Sequence, residues 1–151
     1  MKKFKLTSEF IVDISGVKLF RIKALIEFGN VKAGDLGGYI EKEKNLSHMG
    51  NAWVSGNAQV SGNAWVFGDA QVFGDARVSG DKDYAYAHGF GSCNRTTTFF
   101  RLKDGDVGVR CGCFYGTLAQ FRDNVCETHG ETKKAQEYLM LADLMDFRFK
   151  N

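Results

Sequence analysis

Gly50-Asn51-Ala52-Trp53-Val54-Ser55, followed by GNAQVS (56–61), GNAWVF (62–67), GDAQVF (68–73) and GDARVS (74–79), forms five successive hexads. Gly80-Asp81 begins another before the pattern dissolves at Lys82. A six-residue period is too long for the 3.6-residue stripe of an amphipathic helix and too strict for ordinary hairpins. It suits a solenoid in which each hexad is one short strand plus one corner. Val54, Val60, Val66, Val72 and Val78 are expected to point inward as a β-branched ladder, with Ala52, Ala58, Ala64, Ala70 and Ala76 two residues earlier on the same face. The Gly-Asn and Gly-Asp pairs take the corners, because these residues tolerate unusual backbone angles at least cost.

The flanks read as closing structure. Residues 8–26 alternate as a hairpin around Ser15-Gly16, and TTTFFRL with VGVRCGC forms a second hairpin around Lys103-Asp104-Gly105-Asp106. Thr117-Leu118-Ala119-Gln120 has capping-box spacing, Leu118, Phe121 and Val125 supply an apolar face, and Gly130 stops that helix. A second helix is expected from about Thr132 to Phe147, with Ala135, Tyr138, Leu139, Ala142 and Met145 on one stripe that Leu141 and Leu144 widen. That helix reads as largely buried.

The segments LTSEF (6–10), GVKLFRIKAL (16–25), GDLGGYIEKEKNLS (34–47), the GNAxV tract and CGCFYGTLAQF…THG…EYL (111–139) span nearly the whole chain. Together they resemble a group of small hexapeptide-repeat proteins of bacteria, prophages and phages, often labelled polymer-forming by similarity. The resemblance implies a left-handed parallel β-helix in which three hexads, about 18 residues, make one triangular coil. The fold expected is therefore mainly β. It comprises a β cap over 1–35, a β-helix of two to three coils over 36–85, and a clasp of one hairpin and two helices over 86–151. Backward extension of the repeat would bury Lys42 and His48, so a two-residue slip placing Ile40 and Leu46 inside is favoured.

With 151 residues there is room for one core, and 44% apolar with 25% charged residues is ordinary for a globular protein. A net charge of +2 without a basic run gives no reason to expect nucleic acid or an anionic membrane as a partner. Glu9 and Asp13 interrupt any signal-peptide core, so a cytoplasmic protein is expected. Its four cysteines then read as thiols or metal ligands rather than disulfides.

Three kinds of chemistry are conceivable. Acyl transfer, common among hexapeptide-repeat enzymes, needs a histidine base; the chain offers His48, His88 and His129, none inside the clean hexads, with His48 the best placed. A zinc site could form if Cys111 and Cys113, aimed to one side of a strand, met Cys126 and His129, aimed along one helical face. Buried structural thiols are the competing reading, and no cofactor is the expectation. A Cys113–His129 nucleophilic pair lacks an orienting acid.

The outward positions point instead to binding. With positions 18 apart stacking, one face carries Trp53, Ser55, Gln71 and Phe73, a second Gln59, Ser61, Arg77 and Ser79, and a third Trp65 and Phe67. The aromatic faces, Trp53 with Phe73 and Trp65 with Phe67, need cover from the C-terminal clasp, from a second copy in a dimer or trimer, or from a foreign partner. The function expected is a non-catalytic binding scaffold, and a phage or prophage origin suggests a host component as its target, including one of host defence. The alternatives are an acyltransferase-like enzyme and a sponge for a small signalling ligand, the latter marked by an enclosed pocket with several Arg or Lys.

Overall fold

The computed structural model describes residues 2–91, 95–112 and 114–150. The N-terminal β-formers make β1 (Phe4–Val12) and β2 (Lys18–Ala24), an antiparallel pair. Their turn is closed by the Asp13 carboxylate, which accepts from the Ser15 and Val17 amides. β3 (Leu36–Ile40) pairs antiparallel with β2. Its Gly38 is required by close approach, since a Cβ there would stand 2.7 Å from the Ala58 carbonyl oxygen.

The hexads contribute β4 (Trp53–Val54), β5 (Gln59–Val60), β6 (Gln71–Val72) and β7 (Arg77–Val78), each two residues long. β4 pairs β6 with Trp53 opposite Gln71, β5 pairs β7 with Gln59 opposite Arg77, and β3 pairs β5 with Ile40 opposite Val60. All three pairings are parallel. The repeated valines and alanines are buried, at 2% exposure or less, as are Ile40 and Leu46. Corner geometry explains why each strand stops so soon: Gly62 sits at φ +62°, and a Cβ on it would lie 2.3 Å from the Ser79 carbonyl oxygen.

Beyond the repeat come β8 (Tyr84–Phe90), β9 (Arg95–Arg101), β10 (Val107–Cys111) and β11 (Phe114–Thr117), an antiparallel sheet in the order β11-β10-β9-β8. The helices α1 (Leu118–His129) and α2 (Lys133–Phe149) follow. Thr117 and Gln120 make the expected capping box on α1, and the Thr132 hydroxyl caps α2.

This arrangement corrects the expected fold class. The protein is not a left-handed parallel β-helix of two to three coils. Among the described residues its strands form a five-stranded mixed sheet in the order β1-β2-β3-β5-β7, the four-stranded antiparallel sheet, and the separate two-stranded β4-β6 pair, with two α-helices. The physical reason is ladder length. Each hexad yields a two-residue strand between glycine corners, and the third contributes only an isolated bridge from Leu46 to Val66. The long flanking strands pair antiparallel and draw β5 and β7 into a mixed sheet.

Among the described residues two apolar clusters result. One gathers the repeat interior with Phe4, Ile22, Phe28 and Phe100, and the other joins β9 and β10 to α1 and α2. Helix α2 departs from its expected burial. Ala135, Tyr138, Ala142 and Met145 are buried, but Met140, Leu144 and Phe147 are 70%, 55% and 78% exposed.

Candidate binding surface

The four expected surface aromatics divide. Trp53 is buried, with the edge of Phe28 packed against it at 5.3 Å between ring centroids. Phe73 is half-buried, edge-on to Tyr115 at 4.9 Å and beneath the Arg110 guanidinium at 4.3 Å. The protein's own hairpins thus cover one aromatic face.

Trp65 and Phe67 are different. Their rings stack at 4.5 Å, and Tyr86 of β8 meets Phe67 edge-on at 5.8 Å, yet Trp65 remains 49% and Phe67 37% exposed. The backbone beneath is fixed from both sides. The Trp65 amide donates to the Asp81 carboxylate at 3.0 Å, and the Tyr84 hydroxyl donates to the Trp65 carbonyl. Burial raises the Tyr84 phenol pKa, so the hydroxyl stays protonated as that donor. A rigid aromatic platform of this kind loses little conformational entropy when something docks on it.

Beside the platform lies a groove of about 680 Å³ lined by Lys42, Glu43, Lys44, Leu46, His48 and Trp65 among others. Glu43 is already paired, with Lys2 at 3.2 Å and His48 Nε2 at 3.2 Å, and its hydrogen bond from Lys2 leads in holding its pKa below the usual carboxylate range. Lys42 and Lys44, both exposed, therefore set the sign of the groove.

The three histidines sit in separate surroundings. His48 stacks on Phe4 at 4.2 Å; its Nδ1 accepts from the Lys3 amide at 3.0 Å, leaving the proton on Nε2, toward Glu43. Both nitrogens are thereby committed. His88 is exposed on β8 with Nδ1 2.8 Å from the Thr96 hydroxyl, and His129 ends α1 beside Tyr138.

Of the metal candidates, Cys113 lies outside the described residues. Cys111 is buried, with its sulfur 3.3 Å from the Thr97 hydroxyl and 3.6 Å from that of Tyr138, while Cys126 is exposed on α1. Among the described residues no three of His, Cys, Asp and Glu converge as a metal site, and no helix is long and apolar enough to cross a membrane. Sequence reasoning missed as supports Asp81, the last residue in the repeat's register, and Tyr84 and Tyr86, which follow its end. The lysines of the groove carried no periodic signal. No known protein-family model matches the chain, and no curated protein matches it significantly.

Proposed function

We propose that this is a non-catalytic binding protein whose working surface is the Trp65–Phe67 platform with its adjoining groove. The observation that carries the reading is the half-exposed, stacked pair on a pinned backbone, left open while Trp53 and Phe73 are covered. Such a surface fits a protein segment with an aromatic or aliphatic anchor for Trp65 and acidic side chains for Lys42 and Lys44. The resemblance to phage and prophage proteins makes a cytoplasmic host protein the class of partner, host-defence components included. Acyl transfer is disfavoured by the committed nitrogens of His48.

The test compares capture from a bacterial lysate by the wild-type chain and by Trp65→Ser/Phe67→Lys. Both positions are exposed enough for the variant to fold. A partner held by wild type, released by moderate salt and lost at least tenfold in the variant supports the reading. Equal capture by both chains contradicts it.

A second reading, a sponge for a small signalling ligand, has one observation in its favour. Arg77 and Lys103, with Gln59, Ser61, Ser79 and the Asp13 carboxylate, line a cleft of about 490 Å³ beside the β1–β2 turn. Arg77→Gln would remove the binding of such a ligand and leave protein capture unchanged.

A further inference from the structure

The expected inner stripe of α2 is buried, but the helix carries a second apolar stripe facing out. Met140, Leu144 and Phe147 recur at i, i+4 and i+7, and half-buried Leu141 and Phe90 join Met140 and Leu144 in a depression of about 490 Å³. Phenylalanine alone presents roughly 150–250 Å² when covered. At their exposures the three outward side chains offer on the order of 400 Å². One side of a standard protein interface covers about 800 Å², somewhat over half of it apolar. The stripe therefore approaches the apolar area of one interface half.

We infer that α2 pairs antiparallel with α2 of a second copy about a two-fold axis beside Leu141 and Leu144. The charges select that occupant. Glu137 precedes Leu144 by seven residues and Arg148 follows it by four, so both lie on the same flank of the stripe at opposite ends. A two-fold antiparallel pairing brings like flanks together with the ends exchanged, and thus sets each Glu137 beside the other copy's Arg148. Arg148 already donates to the Asp81 carbonyl at 3.3 Å, and its guanidinium has N–H groups to spare for a carboxylate. Arg148 also borders Phe67 and Tyr86 in a depression of about 320 Å³, so the platform lies at the margin of this pairing with Trp65 outside it, and the dimer would present two platforms to a multivalent partner.

Sedimentation velocity of the full chain from about 1 to 100 μM tests this, with folding checked by circular dichroism. Wild type should dimerise, Leu144→Glu should be a folded monomer, and Trp65→Ser should remain dimeric. Glu137→Arg and Arg148→Glu should each weaken the dimer at least fivefold, and the two together should restore it. A wild-type monomer throughout, a dimer indifferent to Leu144→Glu, a dimer lost only in Trp65→Ser, or no rescue by the double reversal would overturn the inference.

Discussion

Lys3 shows how a single side chain ties the cap to the repeat. It is 1% exposed, donates from Nζ to the Ala52 carbonyl at 2.7 Å, and lies 4.6 Å from the centroid of Phe28. Burial pulls its ammonium down to about 8 from the ordinary 10.5. Between those two values the unfolded chain holds a proton that the folded chain has lost. Stability therefore rises as the pH passes from about 8 to 10.5, by at most about 3 kcal/mol from this residue. Urea denaturation at pH 7.5, 9 and 10.5 should show that rise in wild type relative to Lys3→Met. Parallel pH profiles for the two chains would mean Lys3 keeps its proton in the fold. Nothing in the sequence marked this lysine, because Met1-Lys2-Lys3 reads as a solvated terminus until Ala52 is known to lie beside it.

At the scale of elements, the hexads were the most legible part of the chain. Their valines and alanines are inside, the two-residue slip brings Ile40 opposite Val60, and the 18-residue spacing sets Trp53 opposite Gln71. Side-chain alternation is local, so a repeat can reveal it. How strands join into sheets depends on which neighbours offer longer ladders, and there the β-helix expectation failed: β2 recruits β3, and through it β5 and β7. β8 was missed because YAYAHGF lacks a clear alternation, and on α2 Leu144 was assigned to the buried stripe it adjoins. The hexad interior makes a sharp prediction. Val66→Asp buries an unpaired charge and should cost several kcal/mol, enough to unfold the chain, whereas Gln59→Asp sits half-exposed beside Arg77 and should shift the melting temperature little. Similar melting of both variants would refute the inside–outside assignment.

For the whole molecule, the distribution of aromatic cover carries the functional account. Self-coverage and an open platform coexist because the β1–β3 cap and the β10–β11 hairpin reach Trp53 and Phe73, while β8 reaches only the edge of Phe67. The sequence marked all four aromatics as outward but could not say which would be covered, since coverage is decided by segments far away in the chain. The two tryptophans now report opposite environments. The most direct measurement is fluorine NMR of protein carrying 5-fluorotryptophan, with resonances assigned through Trp65→Phe. In the free protein the Trp65 resonance should respond to a soluble paramagnetic reagent and that of Trp53 should not. On adding the captured partner, Trp65 should shift and lose that response while Trp53 stays in place. A Trp65 resonance already shielded in the free protein, or unmoved in the complex, would contradict the account.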